Sequence, residues 1–208
     1  MSAYVEPQTR NITRLFRTAT PAEIEAGAEW YADARRIVDA LAVKYGVNPQ
    51  RVAGIIAALS PLNSWGNNVN LAARFLAAKD QGGLTSGYLR ANLAKARAIL
   101  AGADIAATLK SDKVTNFYLG IVTSGRKGVT IDRHAYAIAV NKRFGDDETP
   151  KLAGKRYAAV AECYIRASRI LSKEYEMNIS PAQVQSVVWC QWRKLYWSAG
   201  AFDGYKEI

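Results

Sequence analysis

Residues 51–60, RVAGIIAALS, are the most confining stretch of the chain, because every position between Arg51 and Ser60 is apolar or glycine. Asn48-Pro49 opens the stretch with a capping side chain and a proline suited to a first helical turn, and Pro61 ends it. A helix with no polar face has no side to give to water and must be enclosed by other elements. The remaining sequence must therefore build a shell around it.

That shell also reads as helical. Thr20-Pro21-Ala22-Glu23 forms a capping box, and the helix it starts should run to Lys44 or Tyr45 and end at Gly46. Ile24, Trp30, Ile37, Val38 and Leu41 form its apolar stripe. SPLNSWGNN reads as a loop, followed by a helix VNLAARFLAA closed by Gly82-Gly83. YLRANLAKARAIL predicts another helix, stopping at Gly102, and DIAATL gives at most a short turn. Ser111-Asp112 caps KVTNFYLGIVT; the turn SGRKG and the β-branched Val129-Thr130-Ile131 follow. Asp132 starts the helix RHAYAIAVNKRF, and GDDETP is an acidic loop. Residues 151–176 form a long helix with Leu152, Tyr157, Val160, Tyr164, Ala167 and Leu171 on one side. Ser180-Pro181 caps a last helix, AQVQSVVWCQWRKLYW, and the tail after Gly200 is loosely held.

There is no strand pattern, internal repeat or low-complexity tract. The expected fold class is all-α, with eight or so helices in a single unit. One lobe would comprise about residues 1–60 plus 145–208, and a second about 64–144, with a cleft between them.

Composition excludes several classes. With 50% apolar residues the chain can build a core, so it is not mainly disordered. No apolar run approaches the length of a membrane span, and MSAYVEPQTRNITRLF has no signal-peptide stretch, so a cytoplasmic protein with no membrane partner is expected. Two cysteines, Cys163 and Cys190, and one histidine do not make the usual metal cages, so no metal or other cofactor is expected.

The formal charge is +10, unevenly placed. Residues 1–47 carry 6 basic and 6 acidic side chains, whereas 90–156 carry 13 and 6. Such a field attracts phosphate polyanions. Tyr88, Phe117, Tyr118, Tyr136 and Tyr157 interleave with the charges, a pattern compatible with nucleic acid although core positions claim most such rings.

Lys113 and Asp132 stand out as candidates for chemistry, each at an expected helix N-terminus. The helix from Lys113 to Thr123 is about 16 Å long. The eight residues that follow can extend roughly 26 Å, so the chain can bring Asp132 back beside Lys113. The helix dipole favours a carboxylate and disfavours an ammonium there, the ingredients of a base and nucleophile pair.

LAKARAILAG, LKSDKVTNFYLGI and VTIDRHAYAIA, in that order, together with the upstream RVAGIIAALSPLNSWGNN, resemble the helix-hairpin-helix (HhH-GPD) DNA glycosylase superfamily over roughly residues 51–144. Endonuclease-III-type members carry an "N-x-K-A" helix, a hairpin "L-P-G-V-G-x-K-T-A" and then "V-D-T-H-V". The resemblance is closest to a divergent, phage-encoded branch linked to hypermodified bases, with K-x-x-N-F-Y and "V-T-I-D-R-H". It implies a two-lobed helical fold in a bacterial or phage-infected cell, a monomer with DNA as partner, and base flipping. Asp132 would be the catalytic carboxylate and Lys113 the Schiff-base nucleophile. His134 matches the motif histidine, which often only orders the turn.

The departures are specific. The glycine hairpin, whose amides approach a DNA phosphate in the family, is replaced by Leu109-Lys110-Ser111-Asp112, leaving Lys110 and Ser111 to act through side chains. The spacing before the "K-A" helix is shorter by about one helix, and the cysteines for an iron–sulfur cluster are absent. Further candidates for DNA or base contact are Asn63, Trp65 and Asn68 in the early loop, Lys95 in the "K-A" helix, Arg133 beside Asp132, and Gln185 and Trp189. Gln185, Trp189 and Trp192 share one face of the last helix, spaced i, i+4, i+7.

The expected activity is a DNA N-glycosylase or glycosylase/lyase. Two readings keep the fold and change the role: a transferase that hypermodifies an activated pyrimidine, and a non-enzymatic DNA-binding module. A structural protein with a chance resemblance is the fourth reading.

Overall fold

The computed structural model describes residues 3–78, 86–145 and 148–196. These form ten helices: α1 Thr9–Phe16, α2 Pro21–Tyr45, α3 Pro49–Leu59, α4 Trp65–Ala78, α5 Arg90–Leu100, α6 Ile105–Leu109, α7 Asp112–Val122, α8 Arg133–Val140, α9 Lys155–Glu174 and α10 Pro181–Tyr196. No strand occurs among the described residues, so the fold class is all-α. None of these helices is long and apolar enough to cross a membrane.

The capping signals act as the sequence implies. The Thr20 hydroxyl accepts from Glu23 N while the Glu23 carboxylate accepts from Thr20 N at 2.8 Å, and α2 ends at Gly46 in the left-handed region. Asn48, Asp104, Ser111 and Asp132 each accept a backbone amide at the start of their helices.

Four boundaries differ. α1 lies in what the sequence presents as irregular chain, and buries Ile12 and Phe16 completely. α4 begins at Trp65, so Trp65, Gly66, Asn67 and Asn68 are helical rather than loop. α8 stops at Val140, where Asn141 takes a left-handed conformation (φ 53°) and its amide closes the last turn. α9 begins at Lys155 and not near 151. The Gly82-Gly83 stop, Asp146-Asp147 of the acidic loop and the tail after Gly200 lie outside the described residues.

Two clusters of buried apolar side chains form the core. The first gathers Tyr31, Val38 and Ala42 of α2 with α3, α4 and α5, and with Leu109, Val114 and Ile121. At its centre is α3, where every residue from Val52 to Leu59 is buried. The second joins Ile12, Phe16 and Ile24 to Val129, Ile131 and the buried faces of α8, α9 and α10. The clusters part the chain at other places than the lobe boundaries expected from sequence. α3 and the later half of α2 pack with α4–α7, because the all-apolar helix draws its neighbours around it. α8 packs with α9 and α10, because the chain crosses between clusters at 123–131. α2 also runs along α10, where Gln183 Nε2 donates to Ala28 O and Lys194 Nζ donates to Glu23 Oε1 at 2.7 Å.

Candidate active site at the α7 and α8 N-termini

A tight turn joins α6 to α7. Leu109 is fully buried, Lys110 adopts a left-handed conformation (φ 59°) that closes α6, and Ser111 caps α7. Lys110, Ser111, Asp112 and Lys113 are all exposed. Lys95 of α5 donates to Leu109 O at 3.5 Å, which holds the end of α6. Asp112 accepts from Gly154 N at 3.1 Å and so fastens the start of α7 to the segment before α9.

From α7 the chain doubles back along the helix it has just left. Gly125 N donates to Gly120 O at 2.8 Å, and Val129 N donates to the Asn116 side chain at 3.3 Å. Gly128 makes this return possible: its φ is +78°, and a Cβ there would sit 2.6 Å from Asn116 O. Residues 129–131 are then clamped from two sides. Tyr157 OH donates to Val129 O (2.7 Å) and accepts from Ile131 N (3.1 Å), while the Thr130 hydroxyl lies 2.9 Å from Tyr31 OH.

The clamped segment delivers Asp132 to the start of α8. Its carboxylate is half-buried and accepts from Ala135 N at 2.7 Å. Three buried tyrosine hydroxyls feel its charge. Burial pushes Tyr157 up to about 12, with Asp112 and Asp132 adding to the shift. Burial also raises Tyr31 and Tyr164 well above the usual phenol value, Asp132 again adding. All three therefore stay protonated; Tyr164 OH donates to Ala135 O at 3.0 Å.

His134 is half-buried, and Arg133 Nε donates to its Nε2 at 3.3 Å. Burial lowers its pKa, Asp132 opposes this, and the cations Arg133, Lys113 and Arg193 lower it further. Lys113 and Asp132, 19 residues apart in sequence, both influence this ring, because residues 123–131 return the chain along α7 toward the end that carries Lys113.

The remaining candidates fall into separate places. Asn63 is tied to the backbone: its Nδ2 donates to Leu59 O, and its Oδ1 accepts from Asn67. Trp65 packs in an aromatic cluster, 5.1 Å from Trp30 and 6.3 Å from Phe117 between ring centres. Asn68 is 2% exposed and donates to Ile56 O, binding α4 to α3. Gln185 is buried, and Trp189 carries the Arg193 guanidinium 4.6 Å above its ring centre.

Beside His134 the structure contains a cavity of about 220 Å³ that no sequence spacing reveals. It is lined by Arg133 and His134 of α8, by Arg143, Phe144 and Thr149 of the segment that follows, and by Trp192 and Tyr196 of α10. Only Arg133, His134 and the aromatic face of the last helix carried a sequence signal. Among the described residues no group of three or more His, Cys, Asp or Glu side chains is placed to hold a metal ion.

One family model matches the chain, over residues 2–195: a family of unknown function, DUF7178. No curated protein and no solved structure matches it.

Proposed function

The chain belongs to DUF7178, a family of unknown function, and we propose on its own residues that it is a DNA glycosylase-like enzyme acting on a flipped, modified base, with Asp132 as the catalytic carboxylate and Lys113 as the nucleophile. The two apolar clusters are read as the two lobes of a glycosylase-like fold, and the α6–α7 turn as a degenerate helix-hairpin-helix. The partner is DNA, met by a monomer.

One observation supports this reading above the others. A half-buried carboxylate at a helix N-terminus is held rigidly, through the clamped residues 129–131, at the end of α7 that carries Lys113. Preorganised charge of this kind stabilises a cationic transition state without rearrangement. As the bond from C1′ to the base breaks, its electron pair leaves with the base and positive charge builds on the sugar. Asp132 stabilises that charge, as carboxylates do in glycoside chemistry. The Asp132 carboxylate takes a proton from Lys113 Nζ, which adds to C1′; the C1′–O4′ bond then breaks with O4′ taking a second amine proton, leaving a protonated imine between Lys113 and C1′. Lys110 and Ser111, exposed in the turn, are available to a strand phosphate.

Borohydride trapping on DNA oligonucleotides with abasic, uracil, 5-hydroxymethyluracil and mismatched sites tests the reading, with released base and strand cleavage scored in parallel. Wild type is expected to form a covalent adduct that Lys113→Ala abolishes. Base release without an adduct leaves Asp132 as the centre of a monofunctional enzyme. DNA binding with no adduct, cleavage or base release on any of these substrates overturns the reading in favour of the base-modifying transferase or the binding module.

A further inference from the structure

The cavity between α8, the segment that follows it and the end of α10 opens toward the surface, with Arg133, Arg143 and Tyr196 exposed at its rim. Its charged lining groups among the described residues are cationic: Arg133, and Arg143, whose guanidinium lies 4.9 Å over the Tyr196 ring. The Thr149 hydroxyl is shielded from water and has no hydrogen-bond partner. A shielded hydroxyl without a partner is unfavourable, and a ligand oxygen at that point would satisfy it. The other wall is aromatic and braced from behind. Phe144 stacks on Tyr136 (5.4 Å) and Tyr136 on Tyr4 (5.7 Å), while Trp192 packs against Tyr196 at 4.4 Å.

Guanidinium groups match phosphate oxygens with a planar fork of donors, and aromatic walls suit a planar ring. At about 220 Å³ the cavity is below the range of roughly 300–1,000 Å³ that holds drug-sized ligands, too small for a dinucleotide. Two of its lining residues, Arg133 and His134, follow Asp132 directly at the start of α8.

We propose that this cavity binds a single nucleotide unit, its phosphate on Arg133, Arg143 and Thr149 and its ring against Phe144 and Trp192. The assignment stands whether or not Asp132 and Lys113 act on a sugar. The unit can come as a free mononucleotide or as part of a DNA strand, since both offer the same phosphate and ring.

Calorimetric titration of the full chain with thymidine 5′-monophosphate, thymidine, benzoate and a short 5′-phosphorylated oligothymidylate tests it. The monophosphate or the oligomer is expected to bind at least about tenfold more tightly than thymidine or benzoate, the loss expected when charge-assisted bonds are removed. Binding of the monophosphate identifies the free nucleotide as a ligand, and binding of the oligomer alone identifies the strand. Arg143→Gln and Thr149→Val should each weaken the preferred ligand several-fold at unchanged thermal stability, whereas Arg166→Gln, on the far side of α9, should not. Thr149→Val keeps the shape and removes only the hydroxyl, so its effect does not depend on a change of fold. Equal binding of thymidine or benzoate, no binding at all, or an undiminished affinity in both cavity variants overturns the proposal. These outcomes are independent of the trapping experiment, which reads Lys113 and Asp132.

Discussion

The hydroxyls of Tyr31 and Thr130 lie 2.9 Å apart, 99 residues distant in sequence, and both residues are buried. Tyr31 belongs to the first apolar cluster, while Thr130 sits between Val129 and Ile131 of the second. The bond therefore ties the two clusters together two residues before Asp132. Tyr31→Phe keeps the ring and leaves the Thr130 hydroxyl buried and unpaired, which should cost about 1–3 kcal/mol in chemical denaturation. The double variant with Thr130→Val removes both partners and should recover part of that loss. If Asp132 is held for chemistry by this clamp, Tyr31→Phe also lowers turnover with DNA affinity kept.

The return of the chain along α7 leaves no space for a side chain at two glycines. A Cβ at Gly120 would sit 2.4 Å from the Tyr31 ring, and one at Gly128 would sit 2.6 Å from Asn116 O, with Gly128 also at φ +78°. Gly120→Ala must push a buried ring, and overpacking of that kind costs about 1–3 kcal/mol. Gly128→Ala meets backbone and is strained as well, so its loss of thermal stability should be the larger of the two. An unchanged melting temperature in Gly128→Ala would show that 123–131 takes another path.

Much of the helical frame is legible from capping chemistry. Thr20, Asn48, Ser111 and Asp132 announce their helices because a short polar side chain followed by proline or an apolar run has few other uses. α1 is not legible, because Gln8 gives its start no side-chain cap and its apolar residues Ile12, Leu15 and Phe16 are too few for a pattern. Asn141 ends α8 through a left-handed conformation that sequence shows plainly only when the residue is glycine. At the site, Asp132 is visible as a cap, and chain length alone allows its approach to Lys113. The clamp is hidden, because Tyr31, Asn116 and Tyr157 come from three helices and act through contacts of long sequence separation. The cavity is hidden for the same reason, its walls coming from α8, the segment after it and α10.

His134 gives the fold a pH dependence. Its folded pKa lies below the ordinary value of 6.5, because burial and the cations Arg133, Lys113 and Arg193 outweigh Asp132. The unfolded chain therefore takes up this proton before the folded one does. The contribution is present above about pH 6.5 and is lost as pH falls below it, where protonation favours unfolding. His134→Gln should flatten that part of the stability profile measured by urea denaturation. An equally steep decline in the variant would assign the dependence to other groups.

The capping role of Asp132 and its proposed catalytic role can be separated by choice of substitution. Its carboxylate caps α8 through Ala135 N at 2.7 Å, and asparagine makes the same bond without the charge. Asp132→Asn should therefore keep stability within a few tenths of a kcal/mol, whereas Asp132→Ala should lose about 0.5–2 kcal/mol with the cap. Removing a negative charge beside Arg133 and Lys113 should also leave DNA affinity equal or tighter, most visibly at low salt. Under the proposed chemistry, base release depends on the charge and should fall by orders of magnitude in Asp132→Asn. A stable Asp132→Asn protein that binds DNA more tightly and still releases base at the wild-type rate would leave the carboxylate as a cap alone and move the chemistry elsewhere.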